Sequence, residues 1–417
     1  MVELLNITDK MHDDFVMSHP AGDLLQLTSW AGSKELTGWY SRRLAVGRSG
    51  EVEGVALLLF KKVPKTHFTM CYASRGFVCD YEDKEVVSAL LEAAKKIAAD
   101  EKSYTIKIDP DIPAAGNEAV IEYLKQLGFK HHGLTDGMSK DVIQPRTTMV
   151  TDVSVDDKTL LQSFERNNRT KVRNSLRAGT TVYKAGREEL RDFVKLMKET
   201  GERDGFLTRD ITYFESLYDN LNPEGHMELF MVKLLPDEAL QALQIDIEKV
   251  TKDIRKAEKI KDEQKQQNQL ENLNKRMAKI QTQQDGMNAI KRTHPDGVLL
   301  SGALFAQSGH KSYYLYGASS NDLREFLPNH HMQWHMMQYA REHGAVTYDF
   351  GGVSVEPDKD DEHFGLWQFK KVWGTEVSDK IGEFDYVTNR PLYTAAEVMF
   401  PLFQKSKMKL NKIIKRK

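Results

Sequence analysis

Two cysteines in 417 residues, Cys71 and Cys79, are too few for a disulfide framework or a four-cysteine zinc site, and they fit a reducing compartment. Both read as buried thiols. No stretch approaches eighteen uninterrupted apolar residues, and the opening Met1-Val-Glu-Leu-Leu5 lacks a basic region followed by an apolar one, so the expectation is a soluble, cytoplasmic protein. Charge of one sign is missing as well. With 59 Lys plus Arg against 61 Asp plus Glu, only local patches can argue for nucleic acid. No Walker loop, Rossmann fingerprint or G-x-S-x-G elbow is present, which removes the usual support for nucleotide hydrolysis, hydride transfer and serine esterase chemistry. The Q/R-x-x-G-x-G/A loop that grips the coenzyme A pyrophosphate is absent too. His331 and His335 stand four apart on a predicted helix, but Met332 occupies the place of the glutamate that zinc hydrolases need, and no metal site is expected.

What the chain does have is a heptad seam in its middle. Leu240, Leu243, Ile247, Val250, Ile254 and Ala257 recur at alternating steps of three and four, and after a polar stretch (261–268) Leu270, Leu273, Met277, Ile280, Gln284 and Met287 repeat the spacing. Two helices zipped along these seams make an antiparallel coiled-coil arm. The runs on either side, 228–234 and 298–306, read as neighbouring strands of one sheet interrupted by that arm.

The remaining periodicities repeat themselves. Strands are predicted within 44–60, joined through Arg48-Ser-Gly50, and at 67–73 and 104–109, with helices at 86–98 and 118–127. A second round gives a strand at 148–153, helices at 157–177 and 190–201, strands at 298–306, 311–318 and 346–350, and a helix at 328–343. The expected fold is α/β: two tandem acetyltransferase-like units with an inserted helical hairpin. Residues 1–145 form the first unit, 146–235 and 293–404 the two parts of the second, 236–292 the arm, and 405–417 a basic tail. Acetyltransferase sheets split where two strands diverge and hold their donor in that cleft, although a fold alone names no reaction.

Several short motifs then carry a family resemblance. Leu27-Thr-Ser-Trp30-Ala-Gly-Ser-Lys34, Tyr72-Ala-Ser-Arg75-Gly76, Ile108-Asp109-Pro110, Gln144-Pro-Arg146, Leu207-Thr-Arg209 with Tyr213-Phe214, Tyr314-Leu-Tyr316-Gly-Ala-Ser319, Tyr348-Asp-Phe-Gly-Gly352 and Gly365-Leu-Trp-Gln-Phe369-Lys370 occur in the order found in the Fem family of non-ribosomal peptidyltransferases. Together with the arm, the chain resembles that family's arm-bearing group over nearly its whole length. The resemblance implies transfer of glycine, alanine or serine from aminoacyl-tRNA, the co-substrate, to the stem-peptide lysine or growing bridge of a lipid-linked peptidoglycan precursor, with no cofactor.

It also implies roles for particular residues. Lys370 matches the family's Phe-Lys lysine, which steadies negative charge on the reacting ester, and Phe369 would shape a dry pocket beside it. On the residues alone, Phe369-Lys370-Lys371 reads rather as an amphipathic strand edge. Asp109 ends a strand, where α/β sheets meet ligands, and is either an acceptor of the amine proton or a turn-forming Asp-Pro step. Lys34 and Arg209 match the pair that grips the acceptor diphosphate, and Tyr104, Tyr213 and Tyr316 match positions lining its groove.

Two charge patterns complete the reading. Arg166, Arg169, Lys171, Arg173 and Arg177 form a basic stripe that is either a solvated helix face or a contact for tRNA phosphates. The tail, with Lys405, Lys407, Lys409, Lys412, Lys415, Arg416 and Lys417 around Leu410, Ile413 and Ile414, either frays or touches an anionic inner membrane surface. An acetyl-CoA-dependent N-acetyltransferase and a non-catalytic tRNA-binding or coiled-coil adaptor are the rival readings. The oligomeric state and the arm's partner stay open.

Overall fold

Residues 1–134, 142–354, 357–359 and 363–397 are described by the computed structural model, so the basic tail lies outside them. Two mixed sheets dominate. In the first the strand order is Glu3–Leu5, Trp39–Arg48, Glu51–Lys62, Thr69–Ala73, Ser103–Ile108, Phe384–Val387, Phe129–His131, with Val78–Cys79 pairing off Glu51–Lys62. In the second it is Thr180–Ala185, Met227–Leu234, Val298–Ser308, Lys311–Ser319, Thr347–Gly352, Thr147–Asp152, Glu376–Asp379.

Each sheet has one parallel pair among antiparallel neighbours. Thr69–Ala73 runs parallel to Ser103–Ile108, and Lys311–Ser319 runs parallel to Thr347–Gly352. The second pair is bonded only from Lys311 with Thr347 to Tyr313 with Asp349. Beyond that point the strands part, which opens a cleft at their carboxyl ends. The chain is thus two acetyltransferase-like units in tandem.

The units are interlocked rather than merely joined. The strand beside Ser103–Ile108 is Phe384–Val387, from the far end of the chain, so residues 293–404 do not all belong to the second unit as the sequence division has it. One apolar core is common to both sheets: Ala45, Val55 and Val78 of the first share it with Leu229 and Leu304 of the second and with Phe193 and Leu217 from helices Leu190–Asp204 and Ile211–Leu221. This explains why Glu51–Lys62 is apolar on both faces. One face packs on helix Lys84–Asp100 and the other on the shared core and helix Thr28–Glu35.

The arm forms as its spacing predicts. Helices Pro236–Ala257 and Glu263–Thr293 pack together, with Val250, Ala257, Ile280 and Met287 fully buried along the seam. The polar stretch 261–268 is not the break, however. The second helix already begins at Glu263, capped by the Asp262 carboxylate accepting from the Lys265 N–H at 3.0 Å. The flanking strands pair antiparallel, Leu234 opposite Val298, so the arm leaves from the end of two neighbouring strands.

The helix predicted over 157–177 is likewise two, Asp157–Ser163 and Arg166–Ser175. Phe164 between them is extended and buried against Trp334 and Trp373, and that packing overrides helical propensity.

Candidate active site

The second sheet's splay holds a cavity of about 260 Å³, closed from the first unit. Tyr313, Tyr314, Leu315, Asp349, Gly351 and Gly352 supply one wall, and Leu25, Arg75 and Asp111 the other. Buried charges cross it. Asp111 takes Lys311 at 2.6 Å and Lys380 at 3.2 Å, and these two ammoniums hold its carboxyl far below the usual range despite burial. Tyr313 donates to Asp23 at 3.0 Å.

Lys370 does not line this cavity but lies behind Gly351 and Gly352, which do. It is not on a strand edge: Phe364–Lys371 is a helix, whose last turn sinks the side chain into the protein, 5% exposed. The ammonium donates to the Gly352 carbonyl at 2.7 Å. Gly351, at φ 80°, makes the turn that presents this carbonyl, a conformation L side chains rarely adopt. Burial lowers the lysine to about 8, partly countered by Asp349. Asp349 is half-buried, lines the cavity, and accepts the Gly351 N–H at 2.6 Å. Phe369 does not wall the cavity. It packs on Phe350 and Trp373, 6.4 and 6.5 Å between ring centroids, and so fixes the helix that carries Lys370.

Lys34 and Arg209 come together around one ring. The Lys34 Nζ lies 3.6 Å from the Trp30 centroid and 5.5 Å from that of Tyr213, and Arg209 stacks on Tyr213 at 5.0 Å. Burial, then the Arg209 charge, lower Lys34 to about 8. Tyr213 and Tyr316 share a hydrogen bond of 3.0 Å beside them. A β-bulge at Leu315 makes this possible, because it turns Tyr316 toward Phe214 while Tyr314 faces Phe350 on the other side of the sheet. Tyr104 does not join this group. It lies on Ser103–Ile108 near Asp385, which with burial raises its hydroxyl.

Asp109 ends its strand at the first sheet's splay. One oxygen accepts from Tyr72 at 2.9 Å and from the Arg75 N–H at 2.7 Å, and the other faces the Arg75 guanidinium at 3.4 Å. Burial raises it to about 7. It borders a small crevice, with Arg75 and Lys380 standing between that crevice and the larger cavity.

The basic stripe lies next to Lys370. Asn168 of helix Arg166–Ser175 donates to the Val372 carbonyl at 3.2 Å, two residues beyond the lysine. Arg166, Lys171, Arg173 and Arg177 are exposed, whereas Arg169 is half-buried and bonded to the Gln162 carbonyl. Among the described residues a metal-like grouping exists only at His132, Asp385 and Glu397, where the His132 ring and the Tyr393 hydroxyl bond to Asp385.

Sequence reasoning did not single out Asp111, Lys311, Lys380 or Asp349. Lys311 and Lys380 meet Asp111 across 200 and 269 residues of chain, so no local spacing reveals them. Asp349 had a signal: it stands inside Tyr348-Asp-Phe-Gly-Gly352, at the end of a strand.

The doubled acetyltransferase-like fold gives the scaffold, and the family to which the chain belongs makes it an acyltransferase. The FemAB family model matches residues 7–400, and the chain belongs to that family. It is 56% identical, over the full length of both chains, to the lipid II:glycine glycyltransferase of Staphylococcus aureus (strain USA300), and 55% identical to that of strain N315. The crystal structure of FemX, also at 56% identity, superposes with a TM-score of 0.87, covering 95% of this chain and all of the other.

Proposed function

We propose that this chain transfers a glycyl group from glycyl-tRNA to the stem-peptide lysine of lipid II. The observation that carries the reading is the buried Lys370 ammonium, donating to the Gly352 carbonyl where the second sheet splays, with the basic helix Arg166–Ser175 packed beside it. The relatives' name supplies the amino acid and the acceptor.

The lysine amine attacks the ester carbonyl, forming the C–N bond and placing negative charge on the carbonyl oxygen. Among the described residues the Lys370 ammonium spends one of its three N–H donors, on Gly352, and the others would meet that oxyanion. Collapse breaks the ester C–O bond and releases the tRNA hydroxyl, which regains a proton. The amine must lose a proton on the way, to water, leaving group or Asp109. The diphosphate of lipid II would lie between Lys34 and Arg209, with its peptide running along Tyr213 and Tyr316 toward the cavity. Arg166, Lys171, Arg173 and Arg177 would neutralise tRNA phosphates beside the reacting end.

The test is to supply glycyl-tRNA with labelled glycine and lipid II, with and without ribonuclease. Label on lipid II that ribonuclease abolishes is expected. Label obtained from acetyl-CoA instead, or none from either donor, refutes the reading. Alanyl- and seryl-tRNA in parallel test the choice of amino acid.

A further inference from the structure

We propose that the end of the molecule bearing Leu36, Phe206 and Leu207 rests on the surface of an anionic lipid bilayer, an inference that builds on the lipid-linked acceptor proposed above. These three side chains are 56, 43 and 67% exposed. Single exposed apolar residues are ordinary on a protein surface, but three gathered around a cation pair are not.

Helix register brings them together. Gly32 faces Asn220, Ser33 takes a bond from Ser216, and Lys34 lies over Tyr213, so helices Thr28–Glu35 and Ile211–Leu221 run antiparallel. Leu36, two residues past Lys34, and Leu207, two before Arg209, therefore project from the same end. Trp39 follows at that end and pairs with Lys61 across the first sheet, with the Lys61 ammonium 5.2 Å from its ring. Exposed Lys62 and Lys65 extend from the adjoining hairpin. Of the acids nearby, Asp204 is paired with Arg203, and Glu35 and Asp210 stand beside the cations Lys34, Arg209, Lys62 and Lys65.

Leucine and aromatic side chains between lysines suit the headgroup region, where apolar groups partition and ammoniums meet lipid phosphates. The position suits it as well. The diphosphate of a lipid-linked acceptor lies at the membrane surface, so a clamp at Lys34 and Arg209 must reach that depth. Apolar residues beside the clamp would seat it there.

The experiment uses the full chain, vesicles of phosphatidylethanolamine with 30 mol% phosphatidylglycerol, and the triple substitution Leu36→Ser, Phe206→Ser, Leu207→Ser. Wild type is expected to sediment with the vesicles without any acceptor present, and the variant to bind at least tenfold more weakly. With vesicle-embedded lipid II the variant's KM should rise at least fivefold, while transfer to a short-chain, water-soluble lipid II analogue is unchanged. Vesicle binding equal to wild type overturns the proposal. So does equal loss of transfer to both acceptors, which would place these residues in the chemistry. If wild type binds neither anionic nor neutral vesicles, the proposal falls and the face is left to a protein partner. Should wild type transfer no glycine at all while the variant alone loses the vesicles, the membrane surface stands and the glycyltransfer reading falls.

Discussion

The Lys370 ammonium is held 2.7 Å from the Gly352 carbonyl oxygen, across a turn that Gly351 alone makes easy. One hydrogen bond therefore aims the charge before any substrate arrives. Such preorganisation is what makes an oxyanion donor effective, since no reorientation is needed when charge develops. Lys370→Ala should lower turnover by about two to three orders of magnitude, with acceptor and tRNA affinity little changed. Gly351→Ala should give a smaller loss of the same kind, because a side chain at φ 80° strains the turn by about 1–2 kcal/mol. Single-turnover rates with both substrates saturating check both. A near-wild-type rate for Lys370→Ala removes the lysine from the mechanism.

Lys34 gives a pH signature. Its folded-state value, about 8, lies below the ordinary 10.5, so the ammonium is lost as pH rises through 8. Affinity for the diphosphate acceptor should fall over that range, and Lys34→Arg should abolish the fall, because arginine stays charged. Unfolding does not explain such a loss. Between 8 and 10.5 the unfolded chain carries the extra proton, so this residue's contribution to stability rises with pH. Arg209→Ala should weaken acceptor binding at every pH, as titration calorimetry would show.

Asp109 separates positioning from proton transfer. Its carboxyl titrates near 7 when folded, well above the unfolded value, so its contribution to stability is greatest below about 4 and declines as pH rises to 7. Asp109→Asn should remove that slope from a melting-temperature profile. If Asp109 only holds Arg75, turnover should stay within about twofold of wild type across pH. A lost ionisation in the rate profile makes it the base.

Much of this fold was legible because its signals are local. The seam residues Val250 and Ile280 are buried where the heptads put them, and the strands flanking the arm pair as neighbours. What escaped depended on distant chain. The placing of Phe384–Val387 in the first sheet is set by pairing with residues some 280 positions away, and no periodicity announces it. The site divides in the same way. Lys34, Arg209, Tyr213, Tyr316 and Lys370 sit in quotable motifs, and the structure gathers the first four. Tyr104 matched by position yet lies near Asp385. Asp111 with its two lysines became visible only when the units closed on each other.

The arm is attached so that it is removable. Leu234 and Val298 face each other, and a short turn joins such strands readily, although deletion uncovers Leu234 and Leu300, which pack on Ala239 and Met287. Replacing residues 237–291 by such a turn should leave the fold and acceptor affinity intact, with a modest drop in melting temperature. tRNA affinity is expected to fall. Unchanged tRNA affinity in a filter-binding assay would assign the arm to another partner.

The basic helix can be tested apart from catalysis, because its charges and its packing lie on different faces. Asn168 and Val172 face inward, and Asn168 holds the Val372 carbonyl, while Arg166, Lys171, Arg173 and Arg177 point to solvent and pair with no described residue. Changing those four to glutamine should therefore spare the fold and the setting of Lys370. If each meets one phosphate, the dependence of log affinity on log salt should flatten by about 3, at roughly 0.7 to 0.9 per contact. Turnover at saturating tRNA should persist and acceptor affinity should not move, because Lys34 and Arg209 lie on the opposite side of the second sheet. An unaltered salt slope would return this face to the solvent and leave the donor's phosphates to the arm.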